Sequence, residues 1–125
     1  MNINEIKSNL QMRNFYFSEY NFSRNTNIED GEYNIDLQKK IDLVGDHVYE
    51  VVLTTTIEKE DMHLKLKAKA EFIYEAEDFS REEAIINANT VAIMFPFIRS
   101  QVTLLTSQPG MAPIVLPPIN TQKLK

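Results

Sequence analysis

The side chains with the greatest capacity for chemistry in this sequence are its two histidines. A metal site would require His47 and His63 to converge with carboxylates at a defined spacing. The acidic residues nearest to His63 are Glu60 and Asp61, and they do not provide such a spacing. We therefore predict that both histidines are solvated surface residues and that the chain has no metal site.

Two acidic pairs, 77–78 and 82–83, have the residue types used in general acid–base catalysis. Both lie beside a predicted helix start, where negative charge interacts favourably with the helix dipole. The three glycines are scattered, so a phosphate-binding loop is excluded, and no serine stands in a nucleophile-elbow sequence. We predict that the protein is not an enzyme and uses no cofactor.

The composition is that of an acidic chain, with 125 residues and a formal net charge of -5. This length predicts one domain, over residues 1–125, that is large enough to bury a core. A negative charge disfavours a nucleic-acid-binding protein, because phosphate contacts need a basic face. The only local exception is the row formed by Lys65, Lys67 and Lys69.

The sequence also carries indications of the cellular compartment. It has no cysteine, which is compatible with a reducing environment. Residues 1–10, MNINEIKSNL, lack the apolar core of a signal peptide, and no apolar run is long enough to span a membrane. We expect a cytoplasmic protein.

Strand patterns occupy the first half of the sequence. Apolar residues alternate most cleanly at 62–74, and the run 47–58 is rich in β-branched residues. The short charged stretch between these runs predicts a hairpin. Two further candidates lie at 33–38 and 12–22, separated by the polar connection 23–32. The pattern predicts four antiparallel strands in a row, joined by local connections.

A helix is predicted after the strands. Ser80 and Glu83 have the spacing of a capping box, and the stretch 81–107 contains no glycine, which favours one helix or a pair of helices. Pro96 lies inside this stretch and should break or kink the helix. The three prolines after Gly110 exclude regular helix and central strand there.

This helix is unusually apolar. Residues 91–98 are eight apolar positions in a row, whereas a helix that packs on a sheet needs only one apolar stripe. A helix that is apolar nearly all round needs a second partner, and the candidates are another subunit or an unfolded client chain.

Aromatic and methionine side chains are concentrated near the first strand and the proline. Core packing is one explanation, because small domains bury most of their phenylalanines. The alternative is a groove between sheet and helix that accepts varied apolar segments. The groove candidates are Phe15, Phe17, Tyr20, Phe22, Met94, Phe95, Phe97 and Met111.

The C-terminal third of the sequence has a recognisable order of elements. An apolar run ends in MFPFIR at 94–99, and it is followed by an amphipathic stretch at 102–107, a turn at Gly110 and the segment IVLPPIN at 114–120. This order resembles the C-terminal signature of the SecB family of bacterial export chaperones. Upstream, DHVYEVVL at 46–53 has the spacing of a SecB strand.

A third match lies at 13–22, where Tyr16 and Phe22 fall at the positions of Tyr and Phe in the family's first strand. The resemblance implies an α+β fold, in which a four-stranded antiparallel sheet carries a long helix from the C-terminal half of the chain on one face. It also implies a dimer of dimers assembled through this helix and the first strand. On this basis we predict an oligomer interface that includes Val91, Ile98, Val102 and Leu105.

The resemblance implies client holding without ATP, followed by delivery to the SecA motor. The family places an acidic, metal-binding tail after the position of Asn120, where this sequence has only a short basic end, so we expect one SecA contact to be missing. The family also docks SecA through acidic residues on the solvated sheet face. Glu19 keeps one of these, but Lys65 and Lys67 stand where another should be, and they would repel a cationic partner.

Three hypotheses follow. The first is an ATP-independent holdase for unfolded or precursor polypeptides, with a possible place in protein export. The second is a dedicated binding module for one protein, such as an antitoxin, or a SecB-like protein without an export role. The third is a small-ligand binder or enzyme on the same scaffold, for which the sequence offers no residue constellation.

Overall fold

The computed structural model describes residues 9–25, 32–121 and 124. The interpretations of residues 1–8 and of the connection at 26–31 lie outside this part of the chain. The described elements are four strands and one helix, in the order β1 (Leu10–Arg24), β2 (Asn34–Gly45), β3 (Val48–Lys59), β4 (Met62–Tyr74) and α1 (Glu82–Thr106). The predicted α+β class, with an antiparallel sheet and a long helix, is confirmed.

Strands β3 and β4 form the centre of the sheet. They pair in register from Val48 opposite Ile73 to Lys59 opposite Met62, so that only two residues form the turn between them. Along both strands buried residues alternate with half-exposed ones. This antiparallel pairing confirms the predicted hairpin. Its register is fixed by the period-two alternation, which decides the face of each strand that is buried.

The first strand does not pair with the second. The strand order is β1-β4-β3-β2, and every neighbouring pair is antiparallel. The expectation of local connections throughout is therefore wrong for β1 and β2, which form opposite edges of the sheet. Cross-strand apolar matching explains the difference, because β1 places Leu10 and Met12 opposite Tyr74 and Phe72 of β4.

Two irregularities in β1 decide which of its side chains face the helix. The register with β4 shifts between Arg13 and Tyr16 and again between Phe17 and Glu19, and Asn14 has a φ of 56°. Each bulge inserts one residue and reverses the alternation of faces. The side chains on the helix side consequently follow a spacing of two, three, two, three and two, and they are Leu10, Met12, Phe15, Phe17, Tyr20 and Phe22.

Helix α1 begins without the predicted capping box. Arg81 is the N-cap residue, and no side chain caps the helix. The Ser80 backbone N–H and hydroxyl both donate to the Asp78 carboxylate at 2.9 Å, and these bonds lower the pKa of Asp78. Ser80 is therefore engaged by the preceding turn and cannot bond the first turn of the helix.

Pro96 does not break α1, which is continuous over 25 residues. Proline has no N–H to donate to the carbonyl four residues earlier, which here belongs to Ala92. Ala92 and Pro96 are both exposed, so water can bond the freed carbonyl. A proline on this exposed side of the helix therefore lowers the stability of the fold less than one on the buried side would.

The second partner of the apolar helix is largely the chain itself. Arg99 Nε–H donates to the Leu116 carbonyl at 2.9 Å, and the Thr103 hydroxyl donates to the Ile114 carbonyl at 2.9 Å. The segment after Gly110 thus runs back along α1, and it buries the side chains of Ile114 and Leu116. Its prolines keep it extended without regular structure.

The burial of α1 corrects the predicted oligomer interface. Val91, Ile98 and Val102 have no exposed surface within the single chain, and Leu105 is half-buried. The first three are held in the core and are not available to a second copy. The sequence interpretation missed the intramolecular cover because it counted only the sheet as a partner for the helix.

The helix crosses the sheet obliquely. In its first half, Asn87 accepts a hydrogen bond from Lys39 of β2, and in its second half Phe97 contacts Phe15 of β1. Four strands span about 14 Å between the outer strands, whereas a helix with its side chains is about 10 Å wide. One helix therefore leaves parts of the apolar faces of both edge strands uncovered.

Candidate functional site

A chain of aromatic rings lies where β1 meets α1. The ring of Phe15 is 5.1 Å from that of Phe97 and 5.3 Å from that of Phe17, measured between centroids. The ring of Phe17 is in turn 5.4 Å from that of Tyr20. Such distances are those of favourable aromatic pairs. We call Phe15, Phe17, Tyr20 and Phe97 the aromatic surface.

The aromatic surface is open to solvent. Tyr20 and Phe97 are 49% and 48% exposed, while Phe15 and Phe17 are half-buried. Leu104 is 65% exposed on the same helix. The rings offer apolar contact area, and the only polar group they carry is the Tyr20 hydroxyl. A surface of this kind suits apolar side chains of varied shape.

The structure separates the predicted groove residues into two sets. Four of the eight form the aromatic surface, and Phe22 and Met111 are half-buried against the core. Met94 and Phe95 are buried at 0% and 4% exposure, so their assignment to a groove is wrong. Their positions on α1 face the sheet, and the proline that separates Phe95 from Phe97 leaves the helix continuous.

A second opening lies on the other side of the helix, between β2 and the first half of α1. It has a volume of about 350 Å³. Leu43 is 65% exposed at this opening. Its lining is formed by Ile41, Leu43, Tyr49, Glu83, Ile86 and Asn87. The sequence interpretation did not find this groove, although the excess width of a four-stranded sheet over one helix predicts an opening on each side.

A buried carboxylate lies at the start of α1. Glu82 Oε1 is 2.6 Å from His47 Nδ1, and Glu82 Oε2 accepts a hydrogen bond from the Tyr49 hydroxyl. The His47 ring stacks on Phe79 with 4.0 Å between centroids. Burial and, next, the bond to Glu82 raise the pKa of Tyr49 to about 12.

This cluster changes the interpretation of two predicted residues. His47 is not a free solvated side chain, and Glu82 binds partners instead of only facing the helix dipole. No local pattern could have revealed the pairing, because the partners lie more than thirty residues apart in the sequence. The cluster ties the start of α1 to the β2–β3 hairpin.

His63 lies on the open face of the sheet, which is the face away from α1. Its Nδ1 is 3.0 Å from Glu58, and its side chain is 38% exposed. Among the described residues, no group of three or more His, Asp or Glu side chains is arranged to hold a metal ion. The described helix is not long and apolar enough to cross a membrane.

Comparison with known proteins gives one consistent family. The family model of the preprotein translocase subunit SecB matches residues 8–124. The chain is 29% identical over 106 residues to the protein-export protein SecB of Nitrosospira multiformis, and the match covers 77% of this chain and 64% of that protein. It is 36% identical over 87 residues to the SecB of Dechloromonas aromatica, covering 62% and 54% of the two chains. The chain thus spans less than two thirds of these curated relatives.

The fold is also similar to that of a solved structure, a Mycobacterium tuberculosis SecB-like chaperone in complex with a ChAD peptide from the HigA1 antitoxin. The TM-score is 0.69 at 17% sequence identity, and the match covers 87% of this chain and 86% of that one. At this identity the likeness concerns the fold alone.

Proposed function

The chain belongs to the SecB family, and from this premise we propose that it is an ATP-independent holdase, which binds unfolded or precursor polypeptides in the cytoplasm and keeps them from aggregating. The observation that carries the proposal is the aromatic surface, where Phe97 and Tyr20 stay about half exposed although other aromatic side chains, such as Phe72, are fully buried in the core.

The physical basis of the proposal is apolar burial without directional bonding. Burying a fully exposed phenylalanine side chain is worth about 1.5–3 kcal/mol. Covering Phe97, which is 48% exposed, therefore contributes about half of that, whatever apolar group covers it. Several rings in line add such contributions for an extended client that places apolar residues along them. We therefore expect weak selection among clients. A mismatched client is penalised when it leaves polar groups of the binding surface unpaired, and this surface has few of them.

The second candidate is a module dedicated to one partner protein, such as an antitoxin. The groove between β2 and α1 favours it, because Glu83 and Asn87 line that groove and could read specific polar groups of a partner. The solved SecB-like chaperone in complex with an antitoxin peptide makes this class of partner worth testing. A pull-down that returns one abundant partner would favour the module, and a spread of precursors would favour the holdase.

Assembly belongs to the same proposal. With Val91, Ile98 and Val102 in the core, a dimer or a dimer of dimers would have to use exposed apolar positions such as Leu104. The mass of the native protein in solution measures this directly. A monomer at working concentration would leave these positions free for clients.

The direct test is suppression of aggregation of a chemically unfolded protein by stoichiometric amounts of the purified chain. We expect suppression by the wild type and a marked loss in Phe97→Ser. Val115→Ser is the matched control, because Val115 is 68% exposed and lies in the segment after Gly110, outside the aromatic surface. No suppression by a several-fold excess of the wild type would reject the holdase.

A further inference from the structure

The open face of the sheet carries a concentration of lysines that the client-binding proposal does not use. Lys65, Lys67 and Lys69 alternate along β4 and share this face. The register places Val52 of β3 between Lys69 and Lys40 of β2 on one rung of the sheet. We call Lys40, Lys67 and Lys69 the basic patch.

Two lysines of the basic patch have no ionic partner in the described part of the chain. Glu19 of β1 is directly opposite Lys67, yet its carboxylate pairs with Lys65, at 3.5 Å from Nζ. Lys40 pairs only with Asp42 of its own strand, at 3.7 Å. Lys67 and Lys69 form no ion pair with any described residue.

This arrangement is not explained by the stability of the fold. Residues two apart on one face of a strand are about 7 Å apart, so that the like charges of Lys67 and Lys69 repel each other. The chain carries a formal net charge of -5, and acidic residues for neutralising pairs are abundant. A positive patch kept in an acidic chain is suited to an external anionic partner.

The borders of the patch indicate the size of that partner. At one end of the open face Asp42, Glu50 and Glu71 lie on one rung of the sheet, and of these Glu50 forms no ion pair with a described residue, whereas Glu71 pairs with Arg13 at 3.4 Å. At the other end lies Glu58. The patch itself is about 10 Å across, from β2 to β4. A long polyanion such as a nucleic acid would run from the lysines onto these carboxylates and be repelled, whereas a segment with two or three carboxylates fits between them.

The centre and flank of the patch add contacts of another kind. Val52 and Thr54 separate the lysines of β2 from those of β4. Tyr16 stands opposite Lys69 on β1 and is 52% exposed. An apolar or aromatic side chain of a partner could pack on Val52 and Tyr16 between the charged groups.

We propose that the basic patch docks a short acidic segment of a partner protein on the open face of the sheet. The aromatic surface lies on the opposite face, so that a client and this partner can be bound at the same time. The charge of the patch excludes a cationic docking segment, because close like charges oppose association.

The test uses a fluorescein-labelled peptide of alternating glutamate and alanine and follows its polarisation as full-length protein is added. We expect saturable binding that weakens with added salt, as screened charge pairs do. The double variant Lys67→Gln/Lys69→Gln should lose at least tenfold in affinity. In an isotope-labelled sample, the peptide should shift the backbone amide resonances of Lys40, Lys67 and Lys69.

The matched control is a pair of single variants on one strand. Lys40 and Lys39 are neighbours on β2, but Lys40 faces the open side while Lys39 lies on the helix side and bonds Asn87. Lys40→Gln should weaken peptide binding several-fold, and Lys39→Gln, with the same change in net charge, should leave it unchanged. Circular dichroism of each variant checks that the fold is retained.

Three results would overturn the proposal: no binding of the peptide to the wild type, equal binding by the double variant, or resonance shifts confined to the helix side. Tighter binding of a single-stranded oligonucleotide through the same lysines would overturn the partner class. Suppression of aggregation by the double variant should equal that of the wild type, so that failure here is distinguishable from failure of the holdase proposal.

Discussion

The Tyr49 hydroxyl donates a hydrogen bond to the Glu82 carboxylate and thereby joins the second residue of β3 to the first residue of α1. The same carboxylate contacts His47 in the β2–β3 turn. A helix with no side-chain cap is thus positioned by an acidic side chain that reaches back to the sheet. Tyr49 also lines the groove between β2 and α1.

Replacing Glu82 should destabilise the fold much more than replacing its neighbour. Glu82→Ala leaves the Tyr49 hydroxyl without its partner in a partly buried site, and a loss of about 2 kcal/mol in the free energy of unfolding is expected. Glu83→Ala removes an equal charge from the same turn, but Glu83 is exposed, and its effect should stay within about 0.5 kcal/mol. Urea unfolding measures both, and equal losses would show that the helix dipole alone accounts for Glu82.

The raised pKa of Tyr49, about 12, predicts a loss of stability in alkali. The folded state favours the protonated phenol, so its contribution is complete below the ordinary pKa near 10 and is lost as the pH rises towards 12. Tyrosinate absorbance should show one late-titrating phase in the wild type. That phase should be absent from Tyr49→Phe, whose stability should depend less on pH between these values. A late phase that survives the substitution would belong to another tyrosine.

The elements that could be predicted from the sequence are those in which one local pattern decides the structure. The alternation in β4 is unbroken from Met62 to Tyr74, and it gave both the strand and its buried face. The first strand could be predicted, but not which of its side chains lie on the helix side, because the bulges at 13–16 and 17–19 reverse the alternation twice. The aromatic spacing of two, three and two at 15, 17, 20 and 22 was the available signal for those bulges.

The helix shows the complementary failure. Its apolar character was evident from the sequence. The burial of its outer flank, however, depends on the segment after Gly110, which folds back along the helix. Ile114 and Leu116 cover a flank of α1 that would otherwise call for a second subunit. The His47–Glu82 contact was invisible for the same reason, since neither residue has a local pattern that identifies the other.

The two phenylalanines on either side of Pro96 should have opposite roles. Phe95 is buried in the core, and Phe95→Ala should lower the free energy of unfolding by about 3–5 kcal/mol. Phe97 is half exposed, and Phe97→Ala should cost no more than about 1 kcal/mol. Suppression of aggregation should be measured well below the unfolding transition, where both variants are folded. It should fall in Phe97→Ala and stay at the wild-type level in Phe95→Ala. The reverse order of activities would exclude the aromatic surface as the client site.

Pro96→Ala should stabilise the protein. Alanine restores a donor for the Ala92 carbonyl and is favoured over proline inside a helix by about 3 kcal/mol. Removing the proline also gives the unfolded chain more conformational freedom, which reduces this gain in stability by about 1 kcal/mol or less. A net gain of about 1–2 kcal/mol is expected in urea unfolding. A destabilised variant would mean that the proline ring makes packing contacts that outweigh the missing hydrogen bond.

The attachment of the C-terminal segment depends on Thr106. Its hydroxyl donates to the Val102 carbonyl at 2.7 Å and accepts the Ile114 backbone N–H at 2.8 Å, in a buried site. Thr106→Val keeps the shape but leaves the Ile114 N–H without a partner, which should cost about 1–3 kcal/mol. Thr103→Val is the matched control, because its bond to the Ile114 carbonyl is only partly buried and water can replace it. Hydrogen exchange at the Ile114 amide should accelerate in Thr106→Val far more than in Thr103→Val. If the two variants exchanged alike and kept wild-type stability, the segment would be held by apolar packing of Ile114 and Leu116 alone, and the helix flank would be covered without this hydrogen bond.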